Sequence, residues 1–180
     1  AESLMGDILK DFSRDTLVLS SKVFWPMSDD INDRGLSRKH IVQSVHHSLR
    51  RIGTDYLDLY YCHRYDPDTP LEEVLRTMDD LIHQGKILYW GTSEWPAAQI
   101  VRASEMAERY NLYKPIVEQP HYNLLHRQRV ENDVMPETRR YGMGLTTFSP
   151  LAMGILTGKY DDGVPENTRF GREDWLKKRW

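Results

Sequence analysis

The sequence contains a single cysteine, Cys62, among its 180 residues. One cysteine cannot form a disulfide within the chain, and the absence of any Cys pair removes the common spacings of zinc sites, so no bound metal is expected. No run approaches the roughly 20 consecutive apolar residues that a membrane-spanning helix needs. Residues 1–6 also lack the basic and apolar segments of a signal peptide, which predicts a cytoplasmic protein with no membrane partner.

The sequence has no strong excess of charge of either sign. Its 24 Lys and Arg residues are interspersed with 27 Asp and Glu residues, and the formal net charge is −3. A nucleic-acid-binding surface usually shows a basic stripe or patch, and none is visible here. The 39% apolar fraction is ordinary for a globular domain. We therefore expect a globular protein with a solvated, mixed-charge surface and no nucleic-acid partner.

Short β-branched or aromatic runs alternate with helical patterns along the chain. The predicted strands are residues 16–22, 56–63, 87–93, 116–122 and 144–149. Their spacing, often roughly 30 residues, is that of βαβ units and predicts a parallel sheet covered by helices. A doubly wound sheet would usually carry the motif G-x-G-x-x-G after its first strand. Because that motif is absent, the sequence favours a (β/α)₈ TIM barrel.

Two helix starts carry recognisable capping patterns. Ser37 is predicted to cap a helix that ends at Gly53, since Ser is a favoured N-cap residue and Gly a favoured C-terminal stop. Thr69, Pro70 and Glu72 are predicted to form a capping box, with Thr69 at the cap, Pro70 at the first helical position and Glu72 at the third.

Polar side chains stand at the C-terminal ends of the predicted strands, where barrel enzymes place their active sites. They are Lys22, His63, Ser93, Gln119 and Ser149. The two-residue alternation of a strand puts His63 on the same side as Tyr61, and if that side fills the barrel, His63 points into its mouth. Any one of these residues could instead bond to a nearby loop. Five of them on consecutive strands favour a functional site.

Four runs resemble, in order, motifs of the aldo-keto reductase family: LVLSSK (17–22), DYLDLYYCH (55–63), GKILYWGTS (85–93) and FSPLAMG (148–154). With GLSRKHI (35–41) and TGKY (157–160), they are most similar to the branch that contains voltage-gated potassium channel β subunits and their bacterial reductase relatives. The set covers nearly the whole chain. An ordered set of this kind is more specific than any one of its motifs.

The resemblance implies an NADP(H)-dependent enzyme that reduces an aldehyde or a ketone by hydride transfer. In the family a Tyr is the general acid, assisted by a Lys, an Asp and usually a His. The motif match assigns the Lys to Lys22 and the His to His63. An ammonium beside a phenol lowers the pKa of the phenol, and a donor aimed at the carbonyl oxygen stabilises the charge that develops there. The Tyr and the Asp have no match within residues 1–180 and are expected before Ala1.

The resemblance also implies a cofactor site. Ser93 and Gln119 would hold the amide of the nicotinamide, and Phe148 would stack on its ring. Lys159 and Arg169 would supply positive charge to the phosphates. The residues expected to line the pyrophosphate are Ser149, Pro150, Leu151, Ala152 and Met153. The simpler alternatives are a core aromatic for Phe148 and plain surface cations for Lys159 and Arg169.

Five predicted strands are fewer than the eight of a complete barrel, which takes about 250 residues. We therefore predict that residues 1–180 form one domain covering about five central βα units, strands 3 to 7 of the barrel. The first two strands and the last are expected outside this chain, because a sheet lacking three strands could not close and would expose its edges.

Two further questions stay open at the level of sequence. The alternative function is a regulatory subunit that binds NADPH as a redox sensor; His63 favours the enzyme, because channel β subunits have Asn at that position. Trp25 either forms a wall of the substrate pocket or shields the barrel rim.

Members of the branch often form rings of four or eight subunits, so a homo-oligomer, a tetramer or an octamer, is expected.

Overall fold

The computed structural model describes residues 1–173. Its helices are α1 (Glu2–Leu9), α2 (Arg38–Ile52), α3 (Leu71–His83), α4 (Ala97–Tyr110), α5 (Met135–Arg140) and α6 (Arg169–Arg172). Its strands are β1 (Ser20–Val23), β2 (Leu57–Cys62), β3 (Ile87–Ser93), β4 (Val117–Gln119) and β5 (Gly144–Leu145). Within residues 1–173, no helix combines the length and the apolar character needed to cross a membrane.

The five strands form one sheet in which every pair of neighbours is parallel. Their order in space, β1-β2-β3-β4-β5, is their order along the chain. A doubly wound sheet would reverse its strand order at a switch point, whereas a (β/α)₈ barrel adds each strand beside the preceding one. The prediction of a barrel arrangement over a doubly wound one is therefore confirmed, and the sheet has five of the eight strands.

The hydrophobic core joins the sheet to the helices that cover it. Tyr60 and Trp90, partners in the parallel register of β2 and β3, are fully buried. They belong to one apolar cluster with Ile41 of α2, Leu75 of α3 and Ile100 of α4. Each side chain of this size contributes roughly 1.5–3 kcal/mol when it is removed from water. This packing fixes the strands against the helices and so sets where their carboxyl ends lie.

The predicted ends of α2 are present in the structure. The Ser37 hydroxyl accepts a hydrogen bond from the backbone N–H of His40 at 3.3 Å. Gly53 follows the helix with φ 76° and ψ 40°, a left-handed conformation that a residue without a side chain adopts easily. Both signals are local in the sequence, which is why they could be recognised without knowledge of the fold.

The predicted capping box of α3 is wrong. Pro70 occupies the N-cap position, and no side chain caps the helix. The Thr69 hydroxyl donates instead to the Asp66 carboxylate at 2.8 Å, which also accepts the backbone N–H of Leu36 at 2.7 Å. Asp66 is buried and therefore needs these donors. It ties the loop before α2 to the loop before α3, a contact that motif spacing does not reveal.

Four strands, β1, β2, β4 and β5, are shorter than predicted, whereas β3 has its predicted bounds. Residues Arg14–Thr16 form a 3₁₀ turn, so β1 begins only at Ser20. Arg14 holds this turn, because its guanidinium donates to the Asp58 carboxylate at 2.7 Å. β5 ends at Leu145, although Phe148 still pairs with His121 in an isolated parallel bridge. The strand direction thus continues to Phe148 beyond the regular ladder.

Candidate active site

The parallel register places four of the predicted site residues on one face of the sheet. Lys22 pairs with Tyr61, and Ser93 pairs with Gln119. His63 follows Tyr61 by two residues and therefore lies on the same face as Tyr61, because side chains alternate along a strand. All of these residues stand at the carboxyl ends of consecutive strands. The structure thus brings together residues that are widely separated in the sequence.

Lys22 lies above the ring of Tyr61. Its Nζ atom is 5.0 Å from the ring centroid, within the range of a cation–π contact. Burial lowers the pKa of Lys22 below its ordinary value. None of the ion pairs found among residues 1–173 includes Lys22. A partly buried ammonium that has no carboxylate partner in this part of the chain is a candidate functional cation.

His63 is half-buried and remains neutral near pH 7. Burial, followed by the nearby positive charges of Arg64 and Lys22, lowers the pKa of His63 from 6.5 to about 4. A neutral imidazole carries one N–H donor and one acceptor nitrogen. His63 can therefore donate a hydrogen bond to a carbonyl oxygen without bringing a further positive charge beside Lys22.

Lys22 and His63 both line a cleft of about 210 Å³. Trp25 lines the same cleft, and its ring meets the His63 ring edge-on with 5.9 Å between centroids. The indole is 51% exposed, so it does not belong to the core. Of the two sequence-based interpretations of Trp25, the wall of a pocket beside His63 is the one that this geometry favours.

Ser93 and Gln119 form a connected polar pair. The buried Ser93 hydroxyl donates to the Gln119 backbone carbonyl at 3.0 Å. The Gln119 side-chain amide donates to the Thr146 hydroxyl at 3.2 Å. The Ser93 oxygen keeps lone pairs, and the Gln119 side chain carries both donors and an acceptor. A primary carboxamide, which needs an acceptor for its N–H groups and a donor for its oxygen, is a chemical match for this pair.

Tyr61 and Thr146 also belong to the site, although sequence reasoning did not select them. The Tyr61 hydroxyl lies 3.2 Å from the Thr146 hydroxyl, which in turn accepts from Gln119. The ring of Tyr61 thereby connects Lys22 to the polar pair. The alternation of β2 indicated that Tyr61 faces the barrel, but the register that brings it to Thr146 is not visible in the sequence.

The residues after β5 form an irregular loop. Phe148 is half-buried, and Ser149, Ala152 and Met153 have φ values of 52°, 48° and 57°. Non-glycine residues adopt this left-handed region uncommonly, and such residues cluster at ligand sites. Turns of this kind can group backbone N–H donors around an anion. Of the other residues in this segment, Pro150 and Leu151 are exposed and Ala152 is buried.

Lys159 lies against this loop. An ideal Cβ at Gly154, which has φ 104°, would come within 2.8 Å of the Lys159 Nζ atom, so the ammonium rests on the bare Gly154 backbone. Arg169 is the first residue of α6 and is exposed. Among the contacts found in residues 1–173, none joins the Arg169 guanidinium to residues 149–154, and its part in a phosphate site stays a prediction.

Glu118 is a buried carboxyl beside the polar pair that sequence reasoning did not select. It is fully buried, and its carboxylate accepts a hydrogen bond from the Thr92 hydroxyl. Burial raises the pKa of Glu118 to about 7, although the hydrogen bond from Thr92 and the charge of Arg129 oppose the rise. Only the packing of neighbouring strands reveals this residue, because Glu at a strand position is otherwise usually solvated.

The sequence model of the Aldo/keto reductase family matches residues 1–178. The chain therefore belongs to the aldo-keto reductase family, and its five-stranded sheet is part of the (β/α)₈ barrel of that family. The resemblance seen in the sequence motifs is confirmed.

The similar proteins include three that are named as potassium channel subunits. The chain is 49% identical to the "Probable voltage-gated potassium channel subunit beta" of Oryza sativa subsp. japonica and 48% identical to the protein of that name from Arabidopsis thaliana, in each case over 97% of this chain and 54% of the relative. It is 46% identical to the "Putative voltage-gated potassium channel subunit beta" of Schizosaccharomyces pombe, over 94% of this chain and 50% of the relative. The chain thus spans about half the length of these relatives.

Proposed function

We propose that the complete protein is an NADP(H)-dependent reductase that converts an aldehyde or a ketone to an alcohol. The observation that carries the proposal is the common placement of Lys22 and His63 at the carboxyl ends of neighbouring parallel strands, where they line one cleft. The face that holds Lys22 also holds the Ser93–Gln119 pair. A catalytic cation, a neutral hydrogen-bond donor and a carboxamide site therefore meet at one edge of the sheet.

The residues described fit NADP(H) as the cofactor. Ser93 and Gln119 would hold the carboxamide of the nicotinamide, and the half-buried ring of Phe148 would stack on it. The left-handed loop would line the pyrophosphate, with Lys159 beside it and Arg169 near the phosphates. When bound, the reduced cofactor supplies the hydride that adds to the carbonyl carbon.

The protein's own groups would stabilise and protonate the carbonyl oxygen of the substrate. His63, neutral near pH 7, would donate a hydrogen bond to the carbonyl oxygen and so stabilise the negative charge that develops there. The family's Tyr would give its phenolic proton to that oxygen, which completes the alcohol. Lys22 would favour the resulting phenolate by its positive charge. No tyrosine at a matching position occurs in residues 1–180, so this step requires the rest of the barrel.

A regulatory subunit that binds NADPH as a redox sensor is the second candidate. It is favoured by the names of the plant and yeast relatives, which describe them as probable or putative channel β subunits. The two candidates share the cofactor site and differ in turnover. We further propose a cytoplasmic location and assembly into a homo-oligomer, a tetramer or an octamer, for either function.

The test uses the complete protein. Binding of NADPH is measured by fluorescence titration, and turnover by the loss of NADPH absorbance with a panel of aldehydes and ketones. Lys22→Met should lower turnover by at least about 100-fold, because acid–base groups contribute roughly that much, while NADPH affinity stays close to that of the parent protein. Lys39→Met, which removes an exposed lysine of α2, should change neither quantity.

The possible results separate the candidates. Undiminished turnover in Lys22→Met would contradict the role assigned to Lys22. Binding of NADPH without turnover of any carbonyl compound would favour the regulatory subunit. A protein that does not bind NADPH would contradict both functions.

A further inference from the structure

His121 stacks on the ring of Phe148. The two rings are 4.9 Å apart between centroids, and their planes differ by 19°. The backbones of the two residues pair in a parallel bridge, and the Phe148 N–H donates to the Pro120 carbonyl at 3.2 Å. His121 is only 8% exposed. The ring contact is therefore fixed by an extension of the sheet and does not depend on a mobile surface side chain.

Polar contacts hold His121 from the loop after β3. The Glu94 carboxylate accepts the His121 backbone N–H at 2.6 Å and a guanidinium N–H of Arg129 at 3.1 Å. The Glu94 backbone N–H donates to the Gln119 carbonyl at 3.3 Å. Glu94 itself has φ 58°, an uncommon conformation for a residue with a side chain. The loop after β3 thus contacts both the end of β4 at Gln119 and His121.

Asn123 connects His121 to the loop after β5. Its side-chain N–H₂ group lies 3.1 Å from His121 Nε2 and donates to the Ser149 carbonyl at 2.9 Å. The contact with Nε2 requires that this nitrogen accept, so the imidazole carries its proton on Nδ1. One amide group thereby orients the His121 ring and holds the first residue of the loop expected at the pyrophosphate.

We infer that His121 is a positioning residue of the nicotinamide site, which acts by covering one face of Phe148 and leaving the other face for the cofactor. The inference rests on the proposed function, because it assumes that Phe148 stacks on the nicotinamide. Phe148 is half-buried, so the residue is not enclosed on every side. A ring that is already held in the bound orientation loses little freedom when a ligand stacks on it, which increases affinity.

The test separates stacking from a general effect on the loop. The complete protein is titrated with NADPH and with 2′-phospho-ADP-ribose, which has the same phosphates but no nicotinamide. His121→Leu keeps an apolar side chain of moderate size but has no flat ring. His121→Phe keeps the flat ring but has no nitrogen acceptor. His46→Leu, on α2 and outside both the cleft and this network, is the matched control.

His121→Leu should weaken NADPH binding by roughly 3- to 10-fold, because the loss of an aromatic pair reduces affinity by about that factor. The same variant should bind 2′-phospho-ADP-ribose as tightly as the parent protein. His121→Phe should stay within about twofold of the parent protein for NADPH, because its ring replaces the stacking surface. This rescue distinguishes a role for the ring from a merely structural one.

Several results would overturn the inference. Equal weakening of both ligands in His121→Leu would show that His121 supports the phosphate loop and not the nicotinamide. Unchanged NADPH binding in that variant would show that Phe148 needs no backing ring. If His121→Leu does not fold, the folded His121→Phe variant provides the test. Weaker NADPH binding by that variant than by the parent protein would then contradict the inference. A parent protein that binds 2′-phospho-ADP-ribose no less tightly than NADPH would show that Phe148 does not stack on a nicotinamide. A parent protein that binds neither ligand would contradict the proposed function as well.

Discussion

The ring of Tyr61 lies across Gly91, its partner in the register of β2 and β3. An ideal Cβ at Gly91 would be 3.1 Å from Tyr61 Cε1 and 2.6 Å from the backbone oxygen of Val117. The missing side chain at Gly91 therefore lets Tyr61 reach the Thr146 hydroxyl, which follows β5. Lys22 lies above the same ring, so one glycine supports the connection between Lys22 and the Ser93–Gln119 pair.

Gly91→Ala should lower the free energy of unfolding by about 1–3 kcal/mol, the usual cost of an additional carbon in a packed site. The reason is that the Val117 oxygen belongs to the backbone of β4 and cannot move without disturbing the sheet. Urea denaturation of the complete protein measures the change. Gly144→Ala is the matched control, because a Cβ there would meet only the Ile116 oxygen, at 3.9 Å. Equal stability of the two variants would contradict the close approach of Tyr61 and Val117 to Gly91.

Glu118→Gln should stabilise the protein at about pH 8 and have little effect at about pH 5. The pKa of Glu118 is raised from 4.5 to about 7, so the folded protein binds more protons than the unfolded chain between these values. Stability from this group is therefore complete below pH 4.5 and is lost as the pH rises through 7. The neutral amide avoids the buried charge, with a gain of about 1–3 kcal/mol, because a tenfold change in an ionisation constant corresponds to about 1.4 kcal/mol.

Denaturation of the parent protein and the variant at both pH values checks this prediction. Glu166→Gln, which changes an exposed carboxyl, should show no such dependence on pH. A destabilisation by Glu118→Gln that is as large at pH 8 as at pH 5 would mean that the carboxylate is ionised and well solvated in the folded protein.

His63→Asn should make the protein less sensitive to acid. The unfolded chain protonates this imidazole near 6.5 and the folded protein only near 4, the lowered pKa of His63. Between these values the unfolded state binds more protons, so the parent protein loses stability as the pH falls. Thermal melting between pH 7 and pH 5 should therefore show a shallower decline for His63→Asn than for the parent protein. An identical decline would contradict the burial of a neutral imidazole at this position; His46→Asn, outside the cleft, serves as the control.

The alternation of strands and helices, the capping of α2 and the order of polar residues at strand ends depend on local periodicity and on motifs. Lys22, His63 and Ser93 could be selected because each ends a predicted strand, and Gln119 because it lies within another. The capping box failed because Thr69 bonds to Asp66, a buried carboxylate whose other donors come from a different loop. Local patterns do not encode such competition between distant partners.

Local sequence patterns were enough to recognise the family, the barrel arrangement and the strand-end candidates for catalysis and cofactor binding. The contact of Tyr61 with Gly91, the stacking of His121 on Phe148 and the raised pKa of Glu118 became visible only in the folded structure. All three have the same cause. Register, ring stacking and burial depend on which residues meet across strands and loops, and that meeting is set by the packing of the whole sheet against its helices.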